Sequence, residues 1–131
     1  MKNVVDPANN FAFEVHQYLD GNYSGTSGDC QSTTIGVEKL ADFTNWAREN
    51  KFKGFLGEFA GGNNSTCRAA TENMLDFVEA NKDVWIGWTW WAAGPWWGEY
   101  RFTIEPTNCG AGDPPSKCID RPQMDWLEPY L

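Results

Sequence analysis

The hydrophobic positions along the chain alternate between short apolar runs and longer amphipathic stretches. The apolar runs predict three strands, within residues 11–20, 52–62 and 84–93. Between them, apolar residues recur every three or four positions and predict helices over residues 34–50 and 66–81. This alternation of strands and helices is typical of parallel α/β units joined by right-handed crossovers.

Capping signals and the tail complete this pattern. Thr33 or Thr34 can cap the first helix, and Ser65 can cap the second. After the third strand, prolines interrupt the periodicity and predict an irregular tail with one short helix, residues 124–130. Because no repeat or linker marks a boundary, residues 1–131 are expected to form a single domain.

The third strand is apolar on both faces, which is typical of a parallel strand covered by helices. Strict alternation groups Trp91 with Trp85 and places Trp90 on the opposite face. One of the two adjacent indoles is therefore expected to face the helices and the other the strand interior. The loop that follows carries Trp96 and Trp97, a composition typical of a surface that stacks on a ligand.

One carboxylate, Glu58, ends the apolar run of the second strand and leads into a glycine-rich loop. The C-terminal ends of parallel strands are where α/β sheets carry their chemistry. In the first strand, alternation places His16 and Tyr18 on one face at the strand end. A solvated Glu and a hydrogen-bonded structural His are the simpler interpretations of each residue alone, but the titratable pair on one face favours a functional site.

Composition narrows the class of partner. The chain has 10 Lys and Arg against 18 Asp and Glu, a net charge of -8, which disfavours nucleic acid and anionic membranes. Aromatic residues make up 15% of the chain, more than a core of this size needs, so some rings are expected to face a neutral ligand. No apolar run reaches the length of a transmembrane helix, and no membrane partner is expected.

Four cysteines allow three pairings. None lies in a CxxC spacing and His16 is the single histidine, so neither a metal site nor a cofactor is expected. An even number of cysteines in loop-like contexts favours disulfides and therefore secretion. Three Asn-X-Ser/Thr sequons, at Asn22, Asn63 and Asn64, agree with an extracellular location.

Three motifs together resemble a known family. They are Phe-Glu-Val-His-Gln-Tyr-Leu-Asp at residues 13–20, Gly-Glu-Phe-Ala-Gly-Gly at 57–62 and Trp-Trp-Ala-Ala-Gly at 90–94. In order and spacing they are similar to the sixth, seventh and eighth strand motifs of glycoside hydrolase family 5, the cellulase A group, and most of all to fungal-type secreted endo-β-1,4-glucanases. The resemblance implies an α/β fold, a partial TIM (β/α)8 barrel of about three C-terminal β/α units. At 131 residues the chain is well short of the roughly 250 typical of a closed barrel.

The resemblance also implies a role for each site residue. Glu58 would be the nucleophile of a retaining mechanism acting on β-1,4-glucosidic bonds. Tyr18 would orient it through a hydrogen bond, and His16 would line the site. The resemblance implies that three indoles bind a β-glucan substrate. Trp91 would lie under the sugar at the cleavage point, and Trp96 and Trp97 would extend this stacking surface.

The chain departs from the family at the general acid/base. That residue belongs to an Asn-Glu-Pro motif on the fourth strand, and no such motif occurs in this sequence. Three interpretations therefore stay open: a glucanase or a portion of one, a non-catalytic carbohydrate-binding module, and a structural half-barrel that needs a partner chain. Exposed half-barrel edges also predict a possible homodimer. Among other carboxylates, Glu14, Asp20 and Glu99 offer no reason in the sequence to replace the acid.

The resemblance finally implies how the cysteines pair. The family joins cysteines at the ends of adjacent strand-to-helix loops, which corresponds to Cys30 with Cys67. Cys109 and Cys118 would then pair locally in the tail.

Overall fold

The computed structural model describes residues 3–131 and contains a three-stranded parallel sheet in the order β1-β2-β3. The strands are β1 Phe13–His16, β2 Gly54–Phe59 and β3 Trp85–Trp90, and the α-helices are α1 Ile35–Asn50, α2 Ser65–Ala80 and α3 Met124–Leu127. Short 3-10 helices occupy Pro95–Trp97, Pro115–Lys117 and Glu128–Tyr130. The predicted order of strands and helices is confirmed, although β1 is shorter than expected.

The predicted cap residue is confirmed for α1 and is wrong for α2. Thr34 is the N-cap of α1, but its hydroxyl donates to Glu38 Oε1 at 2.6 Å instead of accepting a backbone N–H. At α2 the prediction of Ser65 as the cap is wrong, because Ser65 is already helical. Asn64 is the cap, and its Oδ1 accepts the Cys67 N–H at 2.9 Å.

Helices α1 and α2 pack on one face of the sheet and form the core with it. Leu56 and Phe59 of β2 have no exposed surface, and burying each such side chain contributes about 1.5–3 kcal/mol. Trp85 is also buried, and its Nε1–H donates to Thr44 Oγ1 on α1 at 3.0 Å. The opposite face has no helical layer among residues 3–131, and Ile86 there is 59% exposed. The expectation that helices cover both faces of β3 is therefore wrong for the described chain.

Two irregularities change which side chains share a face. Val15 pairs with Leu56 and His16 with Glu58, so β2 has one extra residue, Gly57, where β1 has none. This bulge brings Glu58 beside His16 at the end of the sheet.

The second irregularity is in the pairing of β2 with β3, whose register shifts between Gly54 and Leu56 and again between Leu56 and Phe59. Gly54 pairs with Trp85 and Leu56 with Trp88, three residues of β3 against two of β2. The rings of Trp88 and Trp90 both contact buried Phe59, at centroid distances of 5.6 and 5.3 Å. Trp85 therefore packs on the helix side with Trp90, and the strict alternation that grouped it with Trp91 is wrong. The expected separation of the adjacent indoles holds, since Trp90 is buried and Trp91 is half-buried.

The end of the tail packs against α2. Trp126 and Leu127 of α3 are buried, and the Tyr130 hydroxyl donates to Asp76 Oδ1 on α2 at 2.8 Å. Cys109 and Cys118 form a disulfide across the exposed part of the tail, which is the expected local pairing. Within the described chain, no helix is both long and apolar enough to cross a bilayer.

Candidate active site

The C-terminal ends of β1 and β2 bring three sequence-predicted residues together. The Tyr18 hydroxyl donates to Glu58 Oε2 at 2.9 Å, and His16 Nδ1 lies 3.5 Å from the same oxygen. The Glu58 side chain is 20% exposed and lies on the sheet face that no helix within residues 3–131 covers. One carboxylate oxygen is thus fixed by the protein while the other stays free to contact a ligand.

The environment of Tyr18 determines the direction of this hydrogen bond. Burial, followed by the hydrogen bond to Glu58 and the charge of Glu58, raises the pKa of Tyr18 well above its ordinary value. Tyr18 therefore keeps its proton at all ordinary pH values. Its hydroxyl acts as the donor, and Glu58 accepts as a carboxylate.

Glu14 is a neighbour of this site that the site prediction missed. Its Oε1 lies 3.1 Å from His16 Nε2, so His16 lies between two carboxylates. The side chain of Glu14 crosses over Gly57, where an added Cβ would lie 2.1 Å from Glu14 Oε1. Glu14 lies two positions before His16, so strand alternation puts both on one face, and this spacing was the signal available in the sequence. These four residues, Glu14, His16, Tyr18 and Glu58, are called the Glu58 cluster below.

The loop of residues 20–31 fixes the ring of Tyr18. Gly25 lies directly on that ring: its φ is +69°, and an added Cβ would be 2.6 Å from Tyr18 Cδ1. Only glycine combines this backbone conformation with so close an approach. A side chain at position 25 would push Tyr18 away from Glu58.

Asp20 stabilises the same loop through hydrogen bonds to its backbone. Asp20 is 3% exposed. Its carboxylate accepts hydrogen bonds from the backbone N–H groups of Gly25, Thr26 and Ser27 at 3.0–3.1 Å. Burial acts to raise the pKa of Asp20, but these hydrogen bonds outweigh it and lower the pKa below its ordinary value. Asp20 is therefore a structural anion and is not available as a general acid.

A disulfide ties this loop to α2. Cys30 is joined to Cys67 with a Cα–Cα distance of 5.2 Å, which is the pairing that the sequence resemblance implied. Beside it, Asn64 Nδ2–H donates to the Gly28 carbonyl at 2.9 Å. The loop that holds Tyr18 is thus fastened at both ends.

The predicted binding indoles lie next to the Glu58 cluster. The Trp91 N–H donates to the carbonyl of Phe59, the residue after Glu58, at 3.0 Å. The ring of Trp97 contacts Trp91 at 5.3 Å and Trp96 at 5.1 Å, edge to face in both cases. Trp97 is half-buried between its neighbours, whereas Trp96 is 85% exposed. Residues 91–98, called the indole loop below, therefore present rings at different angles and not one flat surface.

The tail segment of residues 102–105 holds the indole loop in place. Sequence periodicity did not predict this contact. Buried Trp90 donates its Nε1–H to the Phe102 carbonyl at 2.7 Å, and the Ile104 N–H donates to the Ala92 carbonyl at 3.0 Å. Glu105 Oε2 accepts the Gly94 N–H at 2.9 Å. Because this segment has neither period 2 nor period 3.6, no pattern in the chain pointed to it.

Tyr100 joins the two parts of the site and was also missed. Its ring lies 5.0 Å from that of Trp97 and 5.5 Å from that of Phe102. Phe102 in turn stacks on Tyr18 at 6.4 Å. Aromatic rings thus connect exposed Trp96 to the tyrosine that holds Glu58.

This arrangement suits nucleophilic chemistry on a neutral ligand. A fixed carboxylate stands beside aromatic rings that can cover the apolar face of a sugar. In the part of the chain from residue 3 to 131, no group of three or more His, Cys, Asp and Glu side chains is arranged to hold a metal ion.

Comparisons with known proteins identify the family and the fold of this chain. Residues 1–94 match the family model described as cellulase, glycosyl hydrolase family 5. The chain is 48% identical over all its 131 residues to endo-β-1,4-glucanase B of Aspergillus niger. Among solved structures it is similar to the endo-β-1,4-glucanase Xac0029 of Xanthomonas axonopodis pv. citri, with 50% identity, a TM-score of 0.86 and 98% of this chain covered. It is also similar to XacCel5A in complex with cellopentaose, with 53% identity, a TM-score of 0.89 and 99% covered.

The chain spans only part of these proteins: 37% of the Aspergillus niger glucanase, 38% of Xac0029 and 39% of XacCel5A. Its three parallel β/α units are therefore part of a larger (β/α)8 barrel, as the sequence predicted. The family match and the identity across the whole chain agree with the family resemblance of the three motifs. The chain belongs to glycosyl hydrolase family 5, the cellulase family.

Proposed function

We propose that this chain is the nucleophile-bearing part of a retaining endo-β-1,4-glucanase, with Glu58 as the nucleophile. The observation that carries the proposal is the contact between Tyr18 and Glu58, in which a hydroxyl donates to one oxygen of a carboxylate at 2.9 Å. This contact occurs at the C-terminal end of a parallel strand, where barrels of this type carry their chemistry. It holds the carboxylate in one orientation for in-line attack.

The chemistry follows from two carboxyl groups. An oxygen of Glu58 attacks the anomeric carbon while the bond to the glycosidic oxygen breaks, and a protonated carboxylic acid supplies the proton to that oxygen. Water then attacks the glycosyl-enzyme bond, gives its proton to the same carboxylate, and releases Glu58. The sugar leaves with its original anomeric configuration.

The acid for the first step has no assigned residue in this chain. The Asn-Glu-Pro motif is absent. Asp20 is committed to backbone amides, and Glu99 is 94% exposed at its side chain. Glu14 contacts His16 and not an open position beside Glu58. We therefore expect the chain to cleave best those substrates whose leaving group needs no proton.

The proposed substrate is a β-1,4-linked glucan. XacCel5A, which was solved with cellopentaose, is 53% identical to this chain. Trp91 would lie under the sugar at the cleavage point, and Trp96 and Trp97 would contact further units. The net charge of -8 is compatible with a neutral polysaccharide. Two disulfides favour an extracellular protein, and we propose secretion on that basis.

The test of the nucleophile compares Glu58→Gln with the parent on an activated aryl β-cellobioside. Gln keeps the shape of Glu but removes the charge, so hydrolysis should fall to the background rate. Glu99→Gln, the same change at a carboxylate whose side chain is 94% exposed, should leave the rate unchanged. If Glu58→Gln folds and hydrolyses the aryl substrate as fast as the parent, Glu58 is not the nucleophile.

A trapping experiment tests the retaining mechanism. A 2-deoxy-2-fluoro-β-cellobioside with a dinitrophenolate leaving group should form a covalent adduct. The fluorine slows both formation and hydrolysis of the intermediate, but the good leaving group restores the rate of formation, so the intermediate accumulates. Peptide mass spectrometry should find the adduct on Glu58. Binding of cellopentaose without any adduct or hydrolysis would instead support the carbohydrate-binding module.

A second candidate function is a half-barrel that acts with a partner chain. The observation that favours it is a groove of about 670 Å³ at the free edge of β3, lined by Trp85, Ile86, Trp88 and Tyr130 among others. Strands β1 and β3 each have one neighbour in the described sheet. Light scattering should then find a dimer or larger species. A monomer at high protein concentration with slow amide exchange in β3 would overturn this candidate.

A further inference from the structure

We propose that Tyr100 is a substrate-binding residue of the Glu58 site, whose hydroxyl hydrogen-bonds a hydroxyl group of the glucosyl unit that stacks on Trp91. The inference rests on the proposed function and names an additional protein group for the same saccharide. The ligand class is a β-1,4-linked glucose oligosaccharide.

The ring of Tyr100 lies between the two parts of the site. On one side it is 5.0 Å from Trp97, whose ring contacts Trp91 at 5.3 Å. On the other side it packs on Phe102, which stacks on Tyr18. A saccharide that reaches from the indole loop to Glu58 must therefore pass close to Tyr100.

The hydroxyl of Tyr100 is available for a ligand. The hydroxyls of Tyr18 and Tyr130 donate to Glu58 and Asp76, whereas within residues 3–131 no protein group hydrogen-bonds that of Tyr100. Tyr100 is half-buried, so its hydroxyl is neither sequestered in the core nor fully solvated. When a polar ligand replaces the water around such a hydroxyl, the new hydrogen bond contributes to the binding free energy.

The electrostatics also place Tyr100 near the nucleophile. Burial, followed by the negative charge of Glu58, raises the pKa of Tyr100 above its ordinary value. Its phenol is therefore protonated at ordinary pH and can donate as well as accept. Sugar hydroxyls do both.

The backbone of Tyr100 is fixed before any ligand arrives. Its N–H donates to the Trp97 carbonyl at 3.1 Å, and its carbonyl accepts the Thr103 N–H at 2.9 Å. The ring is held by aromatic neighbours on two sides. Because little conformational entropy remains to be lost, a hydrogen bond from this hydroxyl should contribute fully to affinity.

The test measures cellopentaose affinity by calorimetry for the parent, Tyr100→Phe and Tyr23→Phe. Tyr100→Phe keeps the ring and its packing and removes only the hydroxyl, so affinity should fall about 3- to 10-fold while the urea midpoint is unchanged. Tyr23, 39% exposed and stacked under Lys39, is the matched control and should show the affinity of the parent.

The outcomes separate this inference from the proposed function. Unchanged affinity in Tyr100→Phe, with a parent that binds and loses binding in Trp91→Ala, overturns the role of Tyr100 alone. A parent that does not bind cellopentaose overturns both the role of Tyr100 and the proposed substrate. Lower affinity in Tyr100→Phe together with a lower urea midpoint also contradicts the inference, because the effect would then come from packing.

Discussion

The Glu58 cluster and the indole loop face the same ligand space but are fixed in different ways. The Glu58 cluster stands on β1 and β2, and its supports come from the adjacent loop of residues 20–31, tied to α2 by the Cys30–Cys67 disulfide. The indole loop leaves the end of β3 and depends on hydrogen bonds from the tail segment of residues 102–105. The nucleophile is therefore held by the sheet and a disulfide. The binding surface is held by hydrogen bonds from an irregular segment of the tail.

This difference matches what each part has to do. A nucleophile must keep its orientation to within a fraction of an ångström, which cross-strand contacts and a disulfide provide. Rings that contact a polymer can move more without losing contact area. We therefore expect changes around the Glu58 cluster to cost folding stability, and changes around the indole loop to cost mainly affinity.

Removing the disulfides tests how much more the cross-link beside the Glu58 cluster contributes to stability than the one in the tail. Replacing Cys30 and Cys67 with Ser opens a loop with a sequence separation of 37 and should cost about 3–4 kcal/mol of unfolding free energy. Replacing Cys109 and Cys118, with a separation of 9, should cost about 2.5 kcal/mol. Urea unfolding of the two double variants measures both. A larger loss in the tail variant would contradict the contrast.

Gly62→Ala tests the close approach of two loops beside the Glu58 cluster. An added Cβ would lie 2.0 Å from the Gly28 carbonyl oxygen, a backbone atom that cannot rotate away. The expected loss is about 3 kcal/mol, read from urea unfolding. Gly21→Ala, in the same part of the chain with no atom within 4 Å of its added Cβ, is the control and should change stability little. Equal stability of the two variants would show that the loops are not packed as described.

Asp20→Asn tests how the loop under Tyr18 depends on charge. The folded-state pKa of Asp20 is below its ordinary value of 3.8, so its contribution is present above that pH and is lost as pH falls through the folded pKa. At neutral pH the variant should lose about 2 kcal/mol, since a charged acceptor of three N–H groups becomes a neutral one.

Stability curves at neutral and acid pH check the sign of this effect. The difference between Asp20→Asn and the parent should begin to shrink below about pH 3.8, where Asp20 of the unfolded chain takes up its proton, and should be lost as pH falls through the lower folded-state pKa. A difference that is constant from neutral to acid pH would mean that the charge of Asp20 does not stabilise the loop.

The sequence predicted one of these regions better than the other, for a physical reason. Periodicity marked all three strands and both long helices, and alternation put His16 and Tyr18 on one face, because a buried face constrains every second or third residue. The glycines at positions 57 and 87 lie inside strand patterns and are the signals for the bulges that strict alternation ignored.

The supports of the indole loop could not be found in this way. Tyr100 and Glu105 lie in irregular chain, where no period relates a residue to its surroundings. Their contacts with Trp97 and Gly94 depend on how the tail folds back over the end of β3. That path is set by tertiary packing, including the burial of Trp90 against the Phe102 carbonyl, which a one-dimensional pattern does not contain.

Glu105→Ala should give the smallest effect and decides whether the tail shapes the binding surface. The variant removes the acceptor of the Gly94 N–H, so the start of the indole loop should gain freedom and cellopentaose affinity should fall about 3-fold, with little change in the urea midpoint. Glu105→Gln keeps an oxygen at the same position and should retain most of the affinity. Glu99→Ala, with its 94% exposed side chain, is the control for removing one negative charge nearby.

Amide exchange at Gly94 gives a measurement that does not depend on the ligand: it should accelerate in Glu105→Ala and stay slow in Glu99→Ala. If exchange at Gly94 is the same in both variants, the Glu105 carboxylate does not hold the loop, and the support must come from the contacts of Ile104 with Ala92 and of Phe102 with Trp90.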